Sequence, residues 1–139
     1  MLPAEFSMEY PDGLHIGRDL TETRLKEFVA PVGVRGRDVG TGWVWYRLPS
    51  FLDCALNIGL ELGFNHGALR EMSIFHDAPD MYGNDWNDWS AEKEQLRAEN
   101  TLAWFEQKGF PVGHYPWGEV WSCFDAKSGF GSAGVRYAP

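Results

Sequence analysis

The clearest order in the chain is an alternation. Cys54, Leu56, Ile58, Leu60, Leu62 and Phe64 are separated by Ala55, Asn57, Gly59, Glu61 and Gly63. A period of two sends one apolar row toward a core and the other toward solvent or a thin covering, which is the pattern of a strand. Asn65-His66-Gly67 supplies residues that tolerate positive φ in a tight connection. The return strand, Ala68 to His76, carries Met72 and Ile74 on one side, so the pair reads as a long hairpin.

A period near 3.6 replaces the alternation after Ser90. Ser90 suits an N-cap, and Glu92 and Glu94 favour the positive end of the helix dipole. The helix is expected to run to about Lys108, with Ala91, Ala98, Leu102 and Phe105 on one stripe. Gly109 and Pro111 stop it. A shorter helix of about two turns follows Asp19-Leu-Thr-Glu22, which has the form of a capping box. Leu20, Leu25 and Phe28 lie near one face of it, and Pro31 and Gly33 end it.

Four further strands are expected. They are Gly13 to Gly17, Trp43 to Leu48 with Pro49 as its stop, Trp117 to Asp125, and Gly131 to Tyr137. Arg35 to Gly42 and His76 to Trp89 read as loops. The order β-α-β-β-β-α-β-β predicts one α+β domain over 1–139, with a mostly antiparallel sheet of five to six strands and two helices packed on one face.

Composition sharpens this picture. With 44% apolar and 15% aromatic residues in 139, a core is available and disorder is excluded. The formal charge of −8, from 20 acidic against 12 basic residues, opposes a phosphate backbone and suits a partner with a basic surface. No basic n-region with an apolar h-region opens the chain, and no apolar run reaches the ~20 residues of a membrane helix, so the cytoplasm is the expected location. Cys54 and Cys123 have no metal spacing around them and are expected to be reduced thiols.

The chemistry-bearing motifs are few. Gly129-Phe-Gly131-Ser-Ala-Gly134 fits G-x-G-x-x-G, but the fingerprint must open a helix, and only Val135 to Pro139 follows. A Gly-rich hairpin corner is expected there instead. The histidines at 15, 66, 76 and 114 form no H-x-x-x-H, and there is no G-x-S-x-G. The loop from His76 gathers Asp77, Asp80, Asp85 and Asp88 around Trp86 and Trp89. Rings as anchors beside steering carboxylates make a usable protein-binding surface. Asp77, Asp80, Asp85, Trp86, Asp88, Trp89 and Glu92 are therefore the candidate partner-binding residues, with no catalytic residue, metal or cofactor assigned. Two alternatives stay open: a small enzyme or metal-binding protein with a His76/Asp77/Asp80 cleft, and a carbohydrate-binding module using the loop tryptophans.

Two stretches carry a resemblance. One is Phe64-Asn-His-Gly67-Ala-Leu69 through Ile74. The other is Tyr115-Pro-Trp117-Gly118-Glu-Val120-Trp-Ser122-Cys-Phe-Asp125-Ala-Lys127-Ser128-Gly129, ending near Tyr137. In the C-terminal half the chain resembles small bacterial proteins, some of which look like immunity partners of secreted antibacterial toxins. The resemblance implies a cytoplasmic protein that occludes a toxin's active site. It brings no catalytic residues with it.

Overall fold

The structure is a computed structural model that describes residues 5–28, 33–35, 40–53, 56–78, 90–125 and 130–138. Its elements in chain order are β1 (Met8–Tyr10), a 3₁₀ turn (Pro11–Gly13), β2 (Leu14–Ile16), α1 (Glu22–Phe28), β3 (Gly33–Arg35), β4 (Trp43–Asp53), β5 (Leu56–Asn65), β6 (Ala68–His76), α2 (Ala91–Gln107), β7 (Gly113–Tyr115), β8 (Gly118–Asp125) and β9 (Phe130–Tyr137). β1 and β2 form a small hairpin of their own. The other seven strands make one antiparallel sheet in the order β3-β4-β5-β6-β9-β8-β7. The α+β class and the antiparallel pairing are as expected, and the three-residue strands β1, β3 and β7 are added to them.

Register explains which face is buried. Tyr46, Leu62, Met72, Val135 and Val120 stand opposite one another in a row across β4, β5, β6, β9 and β8, and all are buried. Leu48, Leu60, Ile74 and Ala133 form the next row, also buried. Helix α2 lies over this inner face against β6, β8 and β9, and brings Trp104 and Phe105 onto Phe6. The β1–β2 hairpin adds Met8, Tyr10, Leu14 and Ile16, and α1 adds Leu25, to the same core.

The outer rows differ in kind. One reads Trp45, Gly63, Glu71, Arg136, Glu119 and His114 from β4 to β7. The next reads Arg47, Glu61, Ser73, Gly134 and Trp121. On this face three aromatic rings pack against the glycine directly opposite: Trp45 against Gly63, Phe75 against Gly59, and Trp121 against Gly134. A Cβ on those glycines would come within 2.7, 2.2 and 2.3 Å of the respective ring.

Several boundaries follow the expected chemistry. His66 (φ 50°) and Gly67 (φ 84°) occupy the two central positions of a type I′ turn between β5 and β6. Ser90 Oγ accepts the Lys93 N–H at 3.1 Å, and Gly109 (φ 91°) closes α2. There the Phe110 N–H reaches the Phe105 carbonyl and the Gly109 N–H reaches that of Glu106, which is a Schellman closure.

Other boundaries need correction. Helix α1 is capped by Thr21, whose Oγ1 accepts the Arg24 N–H at 3.1 Å, and not by an Asp19/Glu22 box. Glu22 instead accepts the Tyr46 hydroxyl and pairs with Lys26 at 3.5 Å. Burial and the Glu22 carboxylate both push the Tyr46 phenol above its ordinary value. Pro49 does not stop β4. It falls where the β4–β5 register shifts, between Leu48 and Phe51, so the ladder loses little, and its carbonyl takes the Tyr10 hydroxyl. Gly33–Arg35 is a strand, so Arg35, expected to open a loop, ends β3 instead. β5 starts at Leu56, with Cys54 and Ala55 outside the described residues.

Candidate functional site

The expected site centres on the chain between the end of β6 and the first turns of α2. Asp80, Asp85, Trp86, Asp88 and Trp89 lie outside the described residues. Asp77 and Glu92 are described, and the structure gives them different work. Asp77 extends the β5–β6 ladder: its N–H reaches the Asn57 carbonyl at 2.8 Å and its own carbonyl accepts Asn57 Nδ2 at 3.0 Å. Its carboxylate accepts the Ser50 hydroxyl at 2.5 Å. Asp77 is thus half-buried and structural. Glu92 is exposed on the first turn of α2.

Beneath Glu92 lies a buried polar cluster that joins β6 to α2. The His76 N–H donates to Thr101 Oγ1 at 3.0 Å, and that hydroxyl donates to the Arg97 carbonyl at 2.8 Å. Arg97 meets both Glu94 oxygens, at 3.1 and 3.3 Å, with the two side chains only 9% and 4% exposed. Its other terminal nitrogen reaches toward the His76 carbonyl at 3.4 Å. Glu94 therefore turns inward, where the sequence placed it with Glu92 as a partner of the helix dipole. The residue that draws it in is Arg97, one turn on. His76 itself is buried at 5% exposure, below the surface where an acid or base for an external substrate would have to stand.

The opposite face of α2 is a regular stripe. Glu92, Leu96, Glu99, Ala103 and Glu106 recur at intervals of four and three, and every one is exposed. At 1.5 Å per residue the three glutamates span about 21 Å, with about 10.5 Å between neighbours. The described ion pairs that involve α2 are Glu94–Arg97 and Lys108–Asp53, and Glu92, Glu99 and Glu106 take part in neither. Glu106 also stands in the last turn, where the negative end of the dipole disfavours a carboxylate by about 0.3–1 kcal/mol. Leu96 adds an apolar side chain at 40% exposure. Glu99 and Glu106 were not expected as site residues, although a glutamate every seven positions from Glu92 is readable in the sequence.

The outer sheet face carries a second charged feature. Arg136 is held between Glu71 and Glu119, each at 2.8 Å, and His114 stands 3.8 Å from Glu119. The hydrogen bond to Glu71 raises the Arg136 guanidinium above its ordinary value. These charges are spent on one another across neighbouring strands. The G-x-G-x-x-G run ends inside β9, a strand and not the start of a helix, where Gly134 packs against the Met72 carbonyl and Trp121.

Among the described residues, no three or more His, Cys, Asp or Glu side chains are grouped as metal ligands would be, and no helix is long and apolar enough to cross a membrane. No protein-family model matches the chain, and no curated protein or solved structure matches it either.

Proposed function

We propose that the chain is a non-catalytic protein-binding protein, an immunity-type inhibitor that neutralises a cognate bacterial toxin by covering its active site. The observation that carries this reading is the exposed α2 stripe of Glu92, Leu96, Glu99, Ala103 and Glu106. Three carboxylates on a rigid rod, with an apolar residue between the first two, complement a basic surface. Many toxins that attack nucleic acids or nucleotides present basic clefts. The −8 charge draws a basic partner in and raises the association rate. The C-terminal half resembles small bacterial proteins, some of which look like immunity partners of toxins, and this reading takes up that resemblance.

Holding the stripe costs the free protein little. At about 10.5 Å in water, neighbouring carboxylates repel by roughly 0.4 kcal/mol before salt screening. Against a basic partner each makes a contact of about 1 kcal/mol at ~4 Å. Three together give on the order of 100-fold in affinity.

The test is a binding and neutralisation assay with the toxin encoded beside this chain. The native protein should form a salt-sensitive 1:1 complex that abolishes toxin activity. The E92K/E99K/E106K variant, folded by circular dichroism, should bind at least ~100-fold more weakly and fail to protect. Equal protection by native protein and variant would remove α2 as the contact, and absence of any complex would remove the inhibitor reading.

A further inference from the structure

A separate cleft of about 350 Å³ is lined by Ser7, Met8, Glu9, His15, Phe51, Asp53 and Lys108. It lies between the β1–β2 hairpin, the end of β4 and the C-terminus of α2. Its apolar lining comes from Met8 and Phe51, both themselves buried. A hydrogen-bonded Glu9–His15 pair and an Asp53–Lys108 ion pair both contribute to its lining. In the first, the Glu9 carboxylate sits with both oxygens 3.2 Å from His15 Nδ1, a cross-strand pair fixed by the β1–β2 register. In the second, Asp53 receives the Trp104 indole N–H at 2.8 Å and the Lys108 ammonium at 2.7 Å.

We propose that this cleft binds a monovalent organic cation, an alkylammonium or alkylguanidinium group. The two pairs differ in what they can offer. Asp53 is matched by Lys108 within the protein and anchors the end of α2. Glu9 is 71% exposed, and among the described residues its ion-pair partner is the His15 imidazole. With histidine counted neutral, the cleft carries a formal charge of −1, from Glu9 and Asp53 against Lys108. The C-terminal end of the α2 dipole adds to this negative potential. A cation on Glu9 can therefore lay its methylene chain along Met8 and Phe51, with the Ser7 hydroxyl at the rim. An anion would meet Glu9 and the helix end instead. A bare metal ion would find one carboxylate occupied by lysine and an apolar floor, whereas an alkyl stem gains from that floor.

The same chemistry has two sources, a free small amine or an arginine or lysine side chain of another protein, and the experiment separates them. The purified full chain is titrated at constant ionic strength with n-butylguanidinium, and in parallel with a short neutral-ended peptide containing one arginine. NMR follows the Trp104 indole N–H and the His15 ring. Saturable shifts at both, with a dissociation constant on the order of 1–10 mM for butylguanidinium, are expected for so small a ligand. E9Q, a substitution at an exposed position, should weaken binding about fivefold or more, the loss of one close charge pair in water. Tighter binding of the peptide assigns the site to a protein side chain, and equal or tighter binding of the free cation assigns it to a small amine. No saturable shift by 50 mM of either probe, an unchanged affinity in E9Q, or equal binding of n-butyrate would overturn the proposal.

Discussion

Gly63 and Gly134 look alike in register, each lying opposite a tryptophan on the outer sheet face, yet they should respond very unequally to the same two substitutions. At Gly63 the three atoms nearest an added Cβ all belong to the Trp45 ring, at 2.7 to 2.9 Å. The indole is half-buried and can swing toward solvent, so G63A should cost no more than about 1 kcal/mol, offset in part by the gain from replacing glycine in a strand. At Gly134 the nearest atom is the backbone oxygen of Met72 at 2.2 Å, with Trp121 at 2.3 and 2.6 Å. Relief there requires β9 to shift away from β6, through the buried pairs Met72–Val135 and Ile74–Ala133. G134A should therefore cost about 3 kcal/mol or more. At about 2.1 cal/mol/K per residue over 139 residues, that is a fall in Tm of roughly 10 °C. Adding W45A should remove the closest contacts of the G63A Cβ and most of its cost, while adding W121A should leave most of the G134A cost, because the Met72 carbonyl remains. Urea denaturation followed by far-UV circular dichroism gives both cycles without relying on tryptophan emission. A G134A midpoint within 0.5 kcal/mol of the parent, or full rescue of G134A by W121A, would refute the argument.

Three further outcomes follow from other parts of the molecule. E94A removes the carboxylate from buried Arg97 and should destabilise by about 3 kcal/mol in chemical denaturation, and a loss below 1 kcal/mol would show the pair to be dispensable. E106K should raise stability by about 0.3–1 kcal/mol, since a base suits the last turn of α2, while weakening a basic partner's binding; calorimetry and a binding assay on one preparation check both signs. Burial raises the Tyr137 phenol far above its ordinary 10.0, so between that value and the folded-state value the native protein holds a proton that the unfolded chain has lost. Its contribution is thus complete below pH 10 and disappears as pH climbs beyond it. Urea midpoints should fall more steeply in the native protein than in Y137F above pH 10, and parallel curves would contradict this.

Much of this fold was legible because strong local patterns agreed with tertiary need. The β5 alternation, the His66-Gly67 turn, and the Ser90 and Gly109 ends of α2 are all where the residues put them. What escaped has specific causes. Three residues are too few to display a period, so β1, β3 and β7 carried no signal of their own. Pro49 reads as a terminator in isolation, and only the register shift beside it explains why β4 continues. Asp19 and Glu22 fit a capping box by spacing, but Thr21 was nearer, and Glu22 found Tyr46 from another element. At the candidate site, Glu92 is displayed and Asp77 is consumed internally, a distinction set by Ser50 and Asn57 from distant strands. The inward turn of Glu94 likewise depends on how α2 is rotated against β6.

The position of β9 has a consequence for how the chain acquires this shape. β3 to β6 form a meander of neighbours that can zip together as soon as they leave the ribosome. β7 and β8 join that meander only through β9, which inserts between β6 and β8 and pairs Met72 with Val135 across 63 intervening steps of chain. Until that long loop closes, β6 offers a raw, apolar border to any passing strand. Slow translation would prolong that interval, so the yield of native protein in a cell should be governed by how quickly β9 arrives.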